Sequence, residues 1–213
     1  ILAVRGNRKI INTEDFSEAI EKVIGGLKRK SLELIEAEKQ RVSHHEAGHA
    51  LVGKVLNTDL ITKISIVPRS QALGYVMYTP EEERFLLTKE DLSNKIKVML
   101  GGRAAEELIF GSISTGAMDD LKKANQLAYQ MVCEYGMSDL EHRYFDPMFL
   151  RNCYESIDKE ISKIIKNCYN DAIHTLTSNK ELLCAIASNL YDKEILTSQD
   201  LENILSNFEK EII

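Results

Sequence analysis

The chain has 213 residues, is 44% hydrophobic and contains only 3 prolines, enough apolar material to bury a sizeable core and too much for a disordered tail. A formal net charge of −6 with a pI near 5.5 offers no electrostatic footprint for nucleic acid, which is therefore excluded as an expected partner, nor for an anionic membrane surface. No apolar run approaches the roughly 20 residues that span a bilayer, and no signal-peptide pattern is present, so membrane attachment is expected only through segments absent from this chain.

Ile1-Leu2-Ala3-Val4 reads as the middle of an apolar helix, as expected of a piece excised from a longer protein. Asn12-Thr13-Glu14-Asp15 is a helix start signal, with Thr13 the expected N-cap, and Phe16, Ala19, Ile20 and Val23 follow at helical spacing. Gly25-Gly26 ends that helix, and Lys28-Arg29-Lys30 reads as a linker or a solvated run. The expected organisation is a short N-terminal piece over residues 1–30 and one main domain over 31–213.

From about Glu33 a long helical pattern runs through Leu34, Ala37, Val42, Ala47, Ala50, Leu51 and Val55, with a break expected between Gln40 and Ser43. Two short strands follow, Lys63 to Pro68 and Leu73 to Tyr78, joined by Ser70-Gln71-Ala72. Pro68 and Gly74 favour edge positions for both. Beyond Thr88 the pattern returns to helices, at roughly 88–110, 117–136, 152–176, 179–191 and 197–210, with Thr88, Ser178 and Thr197 as expected N-caps. The fold class is therefore mainly α, a helical domain with a small β-sheet beside the helix described next, and without internal repeats.

Cys133, Cys153, Cys168 and Cys184 form no C-x-x-C pair and are expected to be reduced core residues. The chemistry lies in His45-Glu46-Ala47-Gly48-His49. On a helix, residues i and i+4 share a face, so the two imidazoles can reach a single cation, with zinc bonds of about 2.0–2.1 Å. Glu46 is turned about 100° away from His45, so it is poorly placed as a ligand but well placed to reach the water that the metal activates. This is the arrangement of a zinc metallopeptidase, with Glu46 as general base. Apolar flanking residues place the histidines on a buried helix, where unpaired polar groups are costly. Gly48 in mid-helix signals a close approach of something to the backbone. His44 faces elsewhere and is expected to be structural.

A catalytic zinc needs a third protein ligand and an open position. The extended H-E-x-x-H-x-x-G-x-x-H pattern fails, because Val52 and Val55 stand at its Gly and His positions. Glu106, Glu107, Asp119 and Asp120 are all candidates, and spacing does not choose among them. A stand-alone thermolysin-like peptidase would use Glu106 or Glu107, and a non-enzymatic helical interaction module would use none. An intact Glu46 argues against the module.

The segments His45–Ala50, Ser65-Ile66-Val67-Pro68-Arg69 with Ala72-Leu73-Gly74, Gly101-Gly102-Arg103-Ala104-Ala105-Glu106-Glu107, and Ser114-Thr115-Gly116-Ala117 followed by Asp120-Leu121 resemble, in order and spacing, the peptidase domain of the FtsH family of membrane-anchored, ATP-dependent zinc proteases. The resemblance implies Zn2+ held by His45, His49 and Asp120, with Glu46 as base and Glu106 and Glu107 in structural roles, Arg103 being a candidate partner. It implies a hexameric homo-oligomer that degrades unfolded or membrane-extracted polypeptides, in a bacterial inner membrane or an organelle inner membrane of mitochondrion or plastid. Residues 1–30 resemble the end of the helical lid of an AAA+ ATPase. No G-x-x-x-x-G-K-[ST] loop occurs in the 213 residues, so ATP and Mg2+ are expected only in the full-length protein. An extended substrate is expected to add to a sheet edge, with Leu73, Gly74, Tyr75 and Val76 as candidate binding residues. Residues 139–152 match the family least well.

Overall fold

In the computed structural model the described residues are 1–28, 34–70, 72–80, 82, 84–140, 143–146 and 153–211. Part of the expected linker, Gln71 and most of the poorly matching stretch near residue 150 lie outside them.

A mainly helical architecture with a small sheet is what the chain adopts. Helices α1 (Leu2–Arg5) and α2 (Thr13–Gly25) come first. The N-cap of α2 is Asn12, not Thr13: Asn12 accepts from the Asp15 backbone N–H at 3.0 Å, and Asp15 accepts from the Asn12 N–H at 3.0 Å, a complete capping box. Helix α3 (Glu36–Val55) then runs without the expected break. The polar run that suggested one is held from within the fold, since Ser43 Oγ donates to Lys39 O at 2.8 Å and Arg41 reaches across to Glu106 and Ser112.

Strands β1 (Leu60–Ser65) and β2 (Tyr75–Thr79) pair antiparallel, and a third strand, β3 (Ile195–Thr197), adds to the other side of β1, giving the order β2-β1-β3. Strand β1 is therefore central, against expectation, because it ends at Ser65 and Pro68 lies beyond its ladder. Strand β2 is an edge, and Leu73 and Gly74 immediately precede it.

Helices α4 (Lys89–Phe110) and α5 (Met118–Cys133) follow, α5 entered through a 3-10 turn at Thr115–Ala117. Thr88 caps α4 in a box with Asp91, and Gly111 ends it at φ 62°, a left-handed position that suits glycine. Helices α6 (Tyr154–Ser178), α7 (Lys180–Lys193) and α8 (Ser198–Glu211) complete the chain. Ser178 is the last residue of α6, not a cap of α7, while Thr197 and Asp200 do form the expected box before α8.

Helices α3 and α4 cross at two glycines: a Cβ at Gly48 would lie 2.5 Å from Gly101 O, and one at Gly101 would lie 2.9 Å from Gly48 O. Only bare backbone permits so close a crossing, which explains the mid-helix Gly48. One apolar cluster joins α3, the sheet, α7 and α8 around Leu51, Ile64, Leu183 and Leu190. A second joins α4, α5 and α6 around Ile96, Leu100, Met131 and Ile157. Truncating a fully buried leucine such as Leu51 to alanine would cost about 2–5 kcal/mol. Cys133 and Cys168 are buried as expected, but Cys184 is exposed. Among the described residues, no helix is long and apolar enough to cross a membrane.

Candidate metal centre

Helix α3 presents His45, Glu46 and His49 at 6–8% exposure toward α4 and the start of α5. Their order on the helix follows from the i, i+4 spacing. What fixes the two rings is a set of partners far away in sequence. His45 Nδ1–H donates to Glu106 Oε1 at 2.8 Å, and His49 Nδ1–H donates to Val98 O at 2.7 Å. Both acceptors belong to α4. These bonds engage each Nδ1 and turn each Nε2, on the far side of its ring, toward the place a cation would take, the usual outer support of a metal-binding imidazole.

Both Nε2 atoms converge on Asp120 Oδ2, at 3.3 Å from His45 and 3.5 Å from His49. Tetrahedral bonds of about 2.0–2.1 Å set ligand atoms about 3.3–3.4 Å apart, so the donor set has the span of a zinc site. These three residues are the group able to hold a metal among the described residues. Gly102 makes the space: a Cβ there would lie 2.5 Å from Nε2 of both histidines. The sequence carries a signal for this, the double glycine Gly101-Gly102 inside a helix.

The remaining acidic candidates are occupied otherwise. Glu106, 1% exposed, accepts from His45, from Arg41 at 3.0 Å, and from the Ser114 N–H and Oγ–H at 2.8 and 2.9 Å. Burial pushes its carboxyl up, but His45, Arg41 and Ser114 hold it at about 2. Arg41, which sequence reading missed, is its cation, whereas Arg103 lies beside the Tyr169 hydroxyl. Glu107 accepts from Tyr169 Oη. Asp119 points outward, 70% exposed, toward Lys123. His44 Nδ1 sits 2.8 Å from Gln40 O, and its ring meets Phe110 edge-on, a structural role.

The electrostatics are those of a cation site. Burial works against charge on His45, yet Asp120 and Glu106 raise its pKa to about 10. Asp120 is pushed up by burial but pulled well below the usual carboxylate range by His45 and His49. Two carboxylates and two imidazoles thus draw positive charge to one point. Glu46 is raised above its ordinary value by burial, against the pull of His49 and His45. Its carboxylate lies under Gly74, where a Cβ would come within 2.6 Å of Oε1. Tyr78 Oη donates to His49 O at 3.1 Å, so β2 is tied along α3 beside the site.

The model of peptidase family M41 matches residues 32–204. The chain belongs to peptidase family M41. The resemblance to the FtsH peptidase domain drawn from the four sequence segments is thereby borne out. The M41 chain is 54% identical over 204 residues to ATP-dependent zinc metalloprotease FtsH 2 of Thermoanaerobacter sp., covering 96% of this chain and 40% of that protein. It is 43% identical over 218 residues to ATP-dependent zinc metalloprotease FtsH of Clostridium perfringens, covering 95% of this chain and 30% of that protein. To FtsH of Acaryochloris marina it is 41% identical over 223 residues, covering 97% and 34%. The M41 chain thus spans well under half the length of the curated relatives it matches.

Proposed function

We propose that this chain is the zinc-endopeptidase domain of a membrane-anchored, ATP-dependent protease, with His45, His49 and Asp120 as zinc ligands and Glu46 as general base. The observation that carries the reading is the convergence of two Nε2 atoms on one Asp120 oxygen at 3.3 and 3.5 Å, beside a buried carboxylate that is not one of the three. A thermolysin-like site is disfavoured, since Glu106 is engaged at His45 Nδ1 and Glu107 at Tyr169.

Zinc bound by these ligands supplies Lewis acidity, acidifying water and polarising the scissile carbonyl. Glu46 takes the proton from the attacking water and returns it to the leaving amine nitrogen. Burial favours this role, because a carboxyl raised toward neutrality both accepts and releases a proton readily. Glu106 and Val98 O accept from the Nδ1 side of His45 and His49, which would hold the rings with Nε2 toward the zinc.

Among the described residues strand β2 pairs with β1 on one side only, and its other edge is read as the place for an extended polypeptide, with Leu73, Gly74, Tyr75 and Val76 as the binding stretch. Backbone pairing of this kind accepts varied sequences, which suits unfolded or membrane-extracted substrates. Residues 1–30 are read as the end of an ATPase lid, the full-length protein as a hexamer, and its membrane contact as made by segments outside this chain, in a bacterial or organelle inner membrane. Names of the relatives, ATP-dependent zinc metalloproteases, support the motor and the metal.

The test is zinc content together with casein cleavage by the full-length protein, with and without ATP. Stoichiometric zinc and ATP-stimulated cleavage are expected. Cleavage of folded substrates without ATP, or none with zinc bound, would overturn the reading.

A further inference from the structure

Ser65-Ile66-Val67-Pro68-Arg69 is a run that the chemistry above leaves without a role. Arginine is rarely buried, yet Arg69 is 1% exposed, because α2 closes over it. Its Nη2 donates to Glu18 at 3.2 Å and to Glu21, and its Nη1 donates to Gly26 O at 3.1 Å. Gly25 leaves room for the side chain, since a Cβ there would lie 2.8 Å from Arg69 Cδ. Beside this fork the Ser70 N–H donates to Leu27 O at 2.9 Å, and the Leu27 N–H to Ser70 Oγ at 3.1 Å. Glu21, 4% exposed, also accepts from Lys63 of β1 and lies against the Tyr75 hydroxyl at the start of β2. The anchors on α2 and Gly26 lie outside the span 32–204 of the peptidase family, while the groups they grip lie inside it.

On its other side, Arg69 leads to the site. Its backbone N–H donates to Ala72 O at 2.8 Å, and two residues beyond Ala72 Gly74 abuts the Glu46 carboxylate. We propose that Arg69 is a positioning residue, clamping its own backbone, and through it Ala72, to α2 so that Gly74 stays against Glu46 and the outer edge of β2 stays where an extended polypeptide pairs. A guanidinium forked between two carboxylates and a carbonyl fixes orientation as well as place, which an ammonium does not. Arg69 acts through the placement of Gly74 and β2. The inference rests on the peptidase reading only for the identity of what the edge receives.

The test uses the full-length protein with Arg69→Lys, Arg69→Met and the double variant Arg69→Met/Glu21→Gln, which removes charge from both sides of the pair. Zinc content, affinity for acetohydroxamate, affinity for a peptidyl hydroxamate, and amide exchange over residues 72–79 and over α6 are measured. Acetohydroxamate has no backbone to lay on β2, so its affinity and the zinc content are expected to stay at the wild-type level. Peptidyl hydroxamate affinity is expected to fall about 10–100-fold in Arg69→Met, the scale of a misplaced positioning contact, with Arg69→Lys between. Exchange over 72–79 is expected to rise while α6 keeps its protection. Wild-type affinity for the peptidyl compound, or exchange rising equally in α6, would make Arg69 a general structural residue and overturn the proposal. If the unmodified protein binds neither zinc nor either hydroxamate, the peptidase reading fails, and the exchange comparison alone then decides the clamp. Should Arg69→Met not fold, Arg69→Lys carries the same two outcomes.

Discussion

The α-carbon of Gly74 rests on the carboxylate of Glu46: a methyl group added at residue 74 would lie 2.6 Å from Oε1, 2.7 Å from Cγ and 2.9 Å from Cδ. Glu46 is buried and cannot yield without leaving its place beside His45 and His49. Gly74→Ala is therefore expected to keep zinc and lose activity about 10–100-fold, the cost of moving a positioned group by a fraction of an ångström or more. Zinc content and kcat on a short peptide, measured together, check this. Unchanged kcat would show that Glu46 has room to move.

Glu46→Gln preserves the shape of the side chain and removes its proton affinity. Zinc is expected to remain while peptide hydrolysis falls by about 10²–10⁴, the range of a lost general base. Metal analysis and turnover on the same preparation decide it. Loss of zinc would make Glu46 a ligand instead.

Asp120→Ala takes away the oxygen on which His45 and His49 converge, so it is expected to strip zinc and activity together. Asp119→Ala removes an exposed carboxylate paired to Lys123 at 3.9 Å, and Glu107→Ala removes a partner of Tyr169, so both are expected to keep the metal. Glu106→Gln loses the charge behind His45 and is expected to weaken zinc about 10–100-fold. Competition against a chelator ranks the four. Zinc held by Asp120→Ala and lost from Glu107→Ala would favour a thermolysin-like ligand set.

How much of this was readable beforehand follows from whether a signal is local. The two histidines, Glu46 and the Thr88 and Thr197 capping boxes each depend on residues within four positions, and they stand out in the sequence. The choice among four carboxylates does not, because Asp120 reaches His45 only through the packing of α5 on α4, 75 residues away in sequence. Strand β3 is three residues long and pairs with a strand more than a hundred residues earlier, so no periodicity could announce it. The expected break in α3 had the opposite cause: polar residues that look like a loop in isolation are satisfied by Glu106, Ser112 and Lys39. Gly48 was a readable clue, and Gly101-Gly102 offered the same one.

Burial pushes Glu21 up, but Lys63, Tyr75 and Ser17 bring it from an ordinary 4.5 down to about 2. A carboxylate whose folded pKa lies below its unfolded value stabilises fully above the unfolded pKa, and that stability is lost as pH falls through the folded one. The window here runs from about pH 4.5 down to about 2. At pH 7, Glu21→Gln is expected to melt roughly 5–10 °C below the unmodified protein, because it leaves Arg69 and Lys63 short of a buried partner. As the pH falls through the window, protonation of Glu21 imposes the same loss on the unmodified protein, so the two melting curves should converge. Circular dichroism melts at intervals from pH 7 to pH 2.5 measure the gap. A gap that stays constant across the window would mean that Glu21 is not the charged partner that holds α2 to Arg69.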